Sequence, residues 1–391
     1  MNWRSALAVA MTAGLVIAGC GGDKADSGGS GGSAAGSKGG GTVKVAMVLD
    51  MTGAVGFAGV EAKKGIDLAV KEANESNALG DGSKIEVTIE DAASDPKQAA
   101  SLTQKVARDD NVPVIMVGPG SAGSLAAVPI AQKAKLPTAV LESGAPGIVE
   151  TGNFIYRMNA PQDKFTNLMA QHFQNKGVKK VIQVYNNDIP TNNSLATEIW
   201  PKLAAEYGFT IESSEAVGAT ATNFGTIASK IASAKPDAVM LHLSGAQYVA
   251  FISAVKRAGY AGIIGGGQGA SSGTLAPLGK QADGVVYVAE FSASSDLPVA
   301  QKFNDAIKAA TGKNATLYAS SGYDATNFII KALKEAKGDY TREGVAKGMA
   351  AVAAAGNPDA TTGPVTFENR DARIKGSLVE WRDGKDTIIT P

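Results

Sequence analysis

Cysteine is nearly absent from this sequence of 391 residues, in which Cys20 is the only one. No cysteine follows Cys20, which excludes disulfides and thiolate metal sites from the rest of the chain. Histidine is also scarce, since His172 and His242 are the only two. Two histidines are too few for a multi-histidine metal site, and we expect each to make local hydrogen bonds. The sequence therefore predicts no metal and no cofactor.

An excess of charge of one sign and long hydrophobic runs are also missing. The 37 basic and 37 acidic side chains balance and are mixed along the chain. Without a basic block or an aromatic-basic stripe, a nucleic-acid partner is not expected. No run of 18 apolar residues follows Cys20, so the sequence predicts no membrane-spanning helix beyond that point.

The first 20 residues have the pattern of an export signal. Arg4 precedes an apolar stretch over residues 6–18 that is too short to span a bilayer as a helix. Ile17-Ala18-Gly19-Cys20 follows at the expected cleavage point and resembles the lipobox of bacterial lipoproteins, in which the cysteine carries diacylglycerol. We predict a signal peptide over residues 1–19 and a lipid anchor at Cys20, which two or more acyl chains make stable. An ordinary secretory signal with a chance cysteine is the alternative.

Residues 20–41 predict a flexible tether. The segment after Cys20 is nearly all Gly, Ser, Ala, Asp and Lys, and such a composition buries too little apolar surface to offset the entropy of ordering. Its root-mean-square reach is about 25 Å by the estimate for Gly-rich chains. The anchor and the tether together predict a location on the extracytoplasmic face of a bacterial cell membrane.

Strand and helix patterns alternate from residue 43 onward. Apolar, β-branched runs predict strands, and apolar residues at helical spacing between them predict helices. Asp95 and Pro96 are suited to the N-cap and the first position of one helix. The first half is predicted to have strands over 43–49, 84–90, 112–117 and 138–141, and helices over 61–74, from 96 and over 125–133. This alternation is typical of a parallel, doubly wound sheet.

The same rhythm restarts after about residue 160. Strands are predicted over 180–185, 209–212, 237–243, 263–264 and 285–288, and helices over 163–175, 194–207, 223–234 and 246–258. Later helices are predicted over 298–310, 320–335 and 341–354, with strand-like segments at 363–367 and 377–381. The chain therefore predicts two similar α/β halves.

Three glycine-rich loops follow predicted strands. In an open parallel sheet, ligands bind beyond the carboxyl ends of the strands. Residues 118–124 follow a strand and open a helix, whose free N–H groups favour an anion. Residues 142–144 end the next strand, and residues 265–269 follow a strand of the second half. A plain tight turn is the alternative for each loop, but three at corresponding strand ends favour a binding site.

Two catalytic motifs match parts of these loops. Gly118, Gly120 and Gly123 satisfy the dinucleotide pattern G-x-G-x-x-G. The pattern lies in the third β-unit rather than the first, and an exported protein has little access to nicotinamide cofactors. Residues 269–273 match G-x-S-x-G, but both histidines precede Ser271, so the hydrolase order of triad residues is not met. We therefore predict that the protein is not an enzyme.

Several runs together resemble the Leu/Ile/Val-binding family of ABC-transporter solute receptors. They lie at residues 63–70, 91–96, 117–121, 282–288 and 362–367, and the resemblance spans about residues 42–381. It implies the type I periplasmic-binding fold: an α/β protein of two doubly wound parallel-sheet lobes joined by three crossovers, with a solute in the cleft. By this resemblance, lobe 1 comprises 42–159 plus 291–361 and lobe 2 comprises 160–290 plus 362–391. Crossovers are expected near 158–161, 290–292 and 361–367.

The resemblance also implies a set of ligand-binding residues in the first lobe. In amino-acid-binding members, the loop matching residues 120–124 holds the ligand carboxylate through backbone N–H and hydroxyl groups. The loop matching residues 142–144 adds carbonyl and side-chain contacts. The implied first-lobe residues are Gly120, Ser121, Ala122, Ser124, Glu142, Ser143 and Gly144.

Two positions depart from the family pattern. Gln268 stands where an acidic residue commonly pairs with the α-ammonium group, and Gly144 stands where a threonine is frequent. Either Glu142 supplies the missing negative charge, or the ligand lacks an ammonium group, as an amide, a urea or a carboxylic acid does. Further candidates from the second lobe are Asp163, Tyr185, Ser244 and Tyr248. Tyr248 fits a packed core residue equally well.

The favoured hypothesis is a monomeric, lipid-anchored solute receptor of an ABC importer. Its expected partners are a small-molecule solute, an ABC permease with its ATPase, and the membrane through the lipid anchor. A sensory receptor of the same fold, which passes occupancy to a signalling partner, is the second hypothesis. An NAD-dependent oxidoreductase is the third.

Overall fold

The computed structural model describes residues 40–80, 82–162 and 165–391. The predicted signal peptide, Cys20 and most of the tether lie outside the described residues, and so does the candidate Asp163. No helix of the described part is long and apolar enough to cross a membrane.

Fourteen strands are formed by the described residues. They are β1 (Thr42–Leu49), β2 (Lys84–Asp91), β3 (Val114–Gly118), β4 (Thr138–Val140), β5 (Ile155–Arg157), β6 (Lys180–Asn186), β7 (Thr210–Val217), β8 (Ala238–His242), β9 (Ile263–Gly266), β10 (Val285–Ala289), β11 (Thr366–Glu368), β12 (Asp371–Arg373), β13 (Ser377–Arg382) and β14 (Lys385–Ile389).

The α-helices of the described residues lie between these strands. They are α1 (Gly56–Glu75), α2 (Pro96–Ala107), α3 (Ser121–Lys133), α4 (Asn167–Asn175), α5 (Pro190–Ser194), α6 (Trp200–Tyr207), α7 (Gly225–Ala234), α8 (Ala246–Arg257), α9 (Ser272–Leu275), α10 (Pro298–Thr311), α11 (Leu317–Glu335) and α12 (Arg342–Ala355). A π-helical stretch, Leu195–Ile199, joins α5 to α6.

The strands form two seven-stranded sheets in the described part of the chain. The first has the order β11-β12-β5-β4-β3-β1-β2, and the second has the order β14-β13-β10-β9-β8-β6-β7. Pairing is parallel from β2 to β12 in the first sheet and from β7 to β10 in the second. Only the terminal strands, β11 in the first and β13 and β14 in the second, pair antiparallel. The predicted α/β fold with two doubly wound, mainly parallel sheets is confirmed.

Burial of apolar side chains on both faces explains why the central segments of the first sheet form strands. The strand β3 is buried along its whole length, as expected when helices cover both faces of a parallel sheet. On one face, Met47 and Met116 pack with Ile66 of α1 and Ile329 of α11. On the other face, the core includes Val117 and residues of α2 and α3. The strand ends that carry the glycine-rich loops are therefore held rigidly.

The predicted helix start at Pro96 is confirmed. Asp95 is the N-cap of α2, and its carboxylate accepts a hydrogen bond of 2.8 Å from the backbone N–H of Lys97. Elsewhere the boundaries differ: α3 begins at Ser121 rather than at residue 125, and α11 begins at Leu317 rather than at 320. Each helix starts several residues before its first regularly spaced apolar residue, so the apolar spacing alone predicts a later start.

The helices α1 and α11 cross at very short distance. A Cβ atom on Gly65 would overlap the backbone oxygen of Ala319, and one on Gly322 would overlap the backbone oxygen of Ala62. Only glycine permits this approach of one backbone to another. The crossing brings the first turns of α1 and α11 to the same side of the first sheet.

The third crossover lies later than predicted. The chain leaves the first sheet after β5 and returns to it after β10, near the two predicted positions. However, β11 and β12 belong to the first sheet and β13 to the second, so the third crossing is at residues 374–376, not 361–367. The prediction that placed all of 362–391 in lobe 2 is therefore corrected for residues 366–373. The cause is the pairing of β12 with β5, in which Asp371 lies opposite Arg157. These two residues are 214 positions apart in the sequence.

Candidate functional site

The loop between β3 and α3 has a backbone shape that glycine makes possible. Gly120 is the N-cap of α3 with φ of +125°, and a Cβ atom there would overlap the Asp50 carboxylate. Ser124 donates from Oγ to the Gly120 carbonyl at 2.8 Å and is almost fully buried. Ser124 therefore braces the loop, and the Gly120 N–H donates to the Glu142 carbonyl at 3.4 Å. Ser121 and Ala122 follow at the helix start, where free N–H groups favour an anion.

The loop after β4 is hydrogen-bonded to its surroundings at Glu142 and Ser143. Glu142 has a left-handed backbone with φ of +45°, which is uncommon for a residue with a side chain. Its carboxylate accepts a hydrogen bond from Ser321 of α11. Ser143 is fully buried, its N–H donates to Asn159 Oδ1 at 3.0 Å, and its Oγ donates to Ser121 Oγ at 3.4 Å. The structure thus brings the two first-lobe loops together at Ser121 and Ser143.

The two lobes touch directly beside these hydroxyls. Ser121 Oγ lies 2.6 Å from Oγ1 of Thr191, which belongs to α5 of the second lobe. A Cβ atom on Gly144 would lie 2.7 Å from Cγ2 of Thr191. The side chain of a threonine at position 144 would therefore displace Thr191, and Gly144 permits this approach. Thr191 lies outside the sequence-predicted helix over residues 194–207, so the sequence pattern does not identify it.

Tyr248 lies in the core of the second lobe. It is fully buried, its hydroxyl donates to the Leu241 carbonyl at 2.9 Å, and it accepts from the Gly267 N–H at 3.2 Å. Burial raises the pKa of Tyr248 to about 12. The core interpretation therefore fits better than ligand contact, and Tyr248 holds the turn that leads to Gln268.

Gln268 occupies the 3-10 turn that follows β9. Its side chain is 3% exposed, and neither Nε2 nor Oε1 has a hydrogen-bond partner in the described part of the chain. Of the other second-lobe candidates, Tyr185 lies near the end of β6 and is partly buried, and Ser244 lines a groove between the lobes. Of these three residues, Ser244 is therefore the one that the structure places in the groove.

Two aromatic residues that sequence reasoning missed form a wall of the same groove. The rings of Phe57 and Tyr318 meet edge to face, with centroids 5.4 Å apart. Phe57 also closes against the second lobe, because a Cβ atom on Gly245 would lie 2.6 Å from its Cε1. Burial and the neighbouring Glu142 raise the pKa of Tyr318 above its usual range. The sequence could have indicated these two residues by their position, because each lies in the first turn of its helix.

A family comparison decides the class of protein. The family described as "Periplasmic binding protein" matches residues 42–385. This chain belongs to that family. The predicted resemblance to solute receptors is confirmed, and the family and the fold are those of solute-binding proteins.

Relatives of this periplasmic binding protein carry related names. "Leu/Ile/Val-binding protein homolog 7" of Brucella abortus is 24% identical over 372 residues, which cover 89% of this chain and 91% of the relative. The solute binding protein of an ABC transporter from R. palustris, solved with benzoate, has a TM-score of 0.81 at 23% identity. The match covers 89% of this chain and 96% of that one. A branched-chain amino acid transporter substrate binding protein from Streptococcus pneumoniae, solved with isoleucine, has a TM-score of 0.79 at 21% identity. The match covers 90% of this chain and 100% of that one.

Three carboxyl groups of this periplasmic binding protein lie near the first two chain crossings; Glu290 is buried, and Glu142 and Asp324 are half-buried. Glu290 accepts a hydrogen bond of 2.6 Å from the N–H of Ala160, and Asp324 accepts from the N–H and the hydroxyl of Thr361. Burial raises the pKa of Glu142 to about 7 and that of Asp324 to about 6. Burial and the neighbouring Glu142 raise the pKa of Glu290 well above its usual range. The chain crossings at 160 and 290 therefore meet in a region where carboxyl groups resist ionisation.

Of the two histidines, His242 makes the predicted local hydrogen bond, whereas the buried Nδ1 of His172 has no partner in the described part of the chain. His242 is buried, and its Nε2 lies 3.2 Å from Gln183 Oε1. Burial lowers the pKa of His242 to about 3 and also lowers the pKa of His172, so both are neutral at pH 7. Among the described residues, no group of three or more His, Cys, Asp or Glu side chains is arranged to hold a metal ion.

Proposed function

We propose that this protein is the extracytoplasmic receptor of an ABC importer and binds an amino acid of the branched-chain type, or a related small amide or carboxylate, between its lobes. The observation that carries the proposal is the meeting of both lobes at one polar cleft. Ser121, which is hydrogen-bonded to Ser143 of the first lobe, contacts Thr191 of the second lobe, and the turn that carries the unpartnered amide of Gln268 follows a strand of the second sheet. The names of the relatives support the solute class.

Hinge closure would bury the solute. Three short chain segments join the sheets, and direct contacts between the lobes are made at Ser121 with Thr191 and at Phe57 with Gly245. A ligand shifts such an equilibrium only through contacts that exist in the closed state. In this proposal, the first lobe binds the solute first, and groups of the second lobe such as Tyr185, Ser244 and Gln268 complete the contacts. Asp163 is retained as a candidate of the same kind.

The solute class is tested by titration calorimetry with purified protein. We expect at least one member of a panel of amino acids, amides, urea and small aromatic or aliphatic acids to bind at sub-millimolar concentration. Binding should also reduce the radius of gyration in small-angle scattering, because closure brings the lobes together. Absence of binding across the whole panel would count against the proposal.

The proposal includes a permease with its ATPase as partners and a lipid anchor at Cys20. The anchor and the tether would keep the receptor beside its transporter. We expect Cys20→Ser to release the protein from the membrane fraction and to leave solute affinity unchanged, because the cleft lies in the folded lobes. A variant that stays in the membrane fraction would contradict the anchor, whereas the calorimetric result would be unaffected.

A further inference from the structure

The turn after β9 holds polar side chains that the protein itself does not satisfy. The amide of Gln268 and the hydroxyl of Ser271 are 3% and 2% exposed, and none of their polar atoms has a partner in the described chain. Other buried amides of the same lobe are bonded. Gln183 donates to Ala196 O and Ser214 Oγ, and Gln247 donates to Gly218 O and Ala221 O. Because an unbonded buried amide is costly, the exception at Gln268 requires an explanation.

The position of this turn explains why the amide of Gln268 has no partner within the protein. A Cβ atom on Gly267 would lie 3.8 Å from Oε1 of Gln162, and one on Gly144 would lie 3.4 Å from Nε2 of the same side chain. Gln162 therefore lies between the first-lobe loop and the turn of Gln268. Ser271 lines the groove between the lobes, together with Phe57 and Tyr318. The hydroxyl of Ser271 thus lies at the groove between the lobes, and the turn that carries Gln268 packs beside Gln162 at the same interface.

The chemistry of an amide limits what satisfies it. Nε2 is a donor and Oε1 is an acceptor. An ammonium group alone bonds only to Oε1 and a carboxylate alone only to Nε2, so a solute that presents just one of them to Gln268 leaves the other amide atom buried and unpaired. A group that offers a donor and an acceptor side by side bonds to both. We propose that Gln268 is a specificity-determining residue for a neutral carboxamide-type group on the solute, such as a primary amide, a lactam or a urea. This inference rests on the proposed solute-binding function.

The substitution Gln268→Met separates a binding role from a structural one. Methionine has nearly the same length and no polar atom to leave unpaired. We expect the ligand-free variant to melt at a higher temperature than the wild type, while carboxamide affinity falls by about tenfold. A lower melting temperature would indicate a structural role for the amide and would overturn the proposal.

Gln183→Met is the matched control. It makes the same change at a buried glutamine of the same lobe whose amide is bonded. We expect it to lower the melting temperature, because it leaves the Ala196 carbonyl without its donor. The affinity of the folded fraction for each probe should stay unchanged.

Matched probes test the chemical class by calorimetry. One series is 3-methylbutanamide, 3-methylbutanoate and 3-methylbutylammonium, and the other is benzamide, benzoate and benzylammonium. We expect the amide of at least one series to bind about tenfold or more tightly than its two partners, and Gln268→Met to abolish this preference. Gln268→Glu should instead favour the ammonium compound.

The outcomes separate this inference from the proposed function. If a carboxylate or an ammonium compound binds most tightly to the wild type, the carboxamide inference is overturned and the solute-binding function stands. If amino acids bind and neither amide does, the carboxamide inference is likewise overturned and the solute-binding function stands. If neither these probes nor the wider panel bind, the inference and the proposed function both fail.

Discussion

At the scale of the residue, Glu142 combines a strained backbone with a carboxyl group that burial keeps partly protonated. Its φ of +45° and its hydrogen bond from Ser321 are both imposed by neighbours. Such strain is typical of functional sites, where the surrounding structure maintains it. Because its pKa rises from 4.5 to about 7, this group makes stability depend on pH across a range in which most carboxylates no longer titrate.

The sign of the dependence follows from proton binding. Between about pH 4.5 and pH 7 the folded protein holds a proton on Glu142 that the unfolded chain has released. The Glu142 contribution to the free energy of unfolding therefore decreases as the pH rises through this window. Glu142→Gln removes that dependence and retains an acceptor for Ser321. We expect the variant to match the wild type near pH 4 and to be more stable at pH 8, as measured by urea denaturation.

The control for this experiment is Glu206→Gln in α6, whose side chain is exposed. Its stability should follow the wild type at every pH. Equal stability of Glu142→Gln and the wild type at pH 8 would show that the Glu142 carboxyl ionises in the folded protein without cost.

Gly120 has a positive φ that residues with a side chain rarely adopt. Gly120→Ala places a Cβ atom against the Asp50 carboxylate at a positive φ, so we expect a loss of about 2 kcal/mol in the free energy of unfolding. Solute affinity should fall as well, because the start of α3 would shift. Gly123→Ala is the control in the same loop, since its Cβ would lie an ordinary 3.4 Å from Ala99 Cβ. Equal effects of the two variants in chemical denaturation and calorimetry would refute this explanation.

Sequence reasoning predicts which of these residues come together, but it does not predict their state. The glycine and serine positions of the first-lobe loops follow from strand ends and from the family resemblance, and the structure brings Ser121 and Ser143 together. The left-handed backbone of Glu142 and the missing partners of Gln268 depend on residues far away in sequence. The same is true of Phe57 and Tyr318, which meet only because α1 and α11 cross.

At the scale of the element, the crossing of α1 and α11 depends on the absence of two side chains. Gly322→Ala would place a methyl group against the backbone oxygen of Ala62. Because the helices are packed backbone to backbone, we expect the substitution to lower the free energy of unfolding by about 3 kcal/mol. It should also weaken solute binding, because α11 carries Tyr318 and Ser321.

Gly225→Ala in α7 is a matched change in a helix with more space, where the nearest atom would be the Asn223 Oδ1 at 3.4 Å. We expect its effect on stability to stay within about 0.5 kcal/mol. Denaturation curves of both variants provide the comparison. A Gly322→Ala variant as stable as Gly225→Ala would mean that the two helices can separate without cost.

Elements with a local signal were predictable, and those that depend on distant pairing were not. Continuous apolar runs gave the central strands, and Asp95 and Pro96 gave the start of α2. The strand β12 has the sequence Asp-Ala-Arg, which has no strand pattern of its own. It is a strand because its backbone pairs with β5 and because Asp371 bonds to Arg157.

At the scale of the whole molecule, that ion pair joins two of the three segments that connect the lobes. Arg157 is the last residue of β5, and Asp371 is the first residue of β12. Their two hydrogen bonds are 2.7 and 2.8 Å long, and Arg157 also donates to the carbonyls of Ser143 and Ala145. Arg157 thus links the crossover region to the loop of the candidate site.

Arg157→Met would remove both close hydrogen bonds from the buried Asp371 carboxylate and leave it only the longer contact of 3.8 Å with Arg373 Nη1. We expect a loss of about 3 kcal/mol in the free energy of unfolding, because a buried charge that loses its close partner is costly. Lys63→Met is the control, since Lys63 pairs with Asp67 on the surface of α1 and both side chains are largely exposed. That exposed pair contributes about 0.5 kcal/mol. Similar losses in the two variants, measured by denaturation, would show that burial does not strengthen the effect.

The arrangement of the two sheets has a consequence for how the chain is made. Residues 366–389 provide edge strands to both sheets, and β12 joins β5 across a separation of 214 positions. A ribosome delivers the chain from its N-terminus, so β5 is synthesised long before β12 can cover it. During that interval the newly made protein presents an open strand edge, which is a template for aggregation. The exposed edge of β5 is therefore where a chaperone of the nascent chain would protect it for longest.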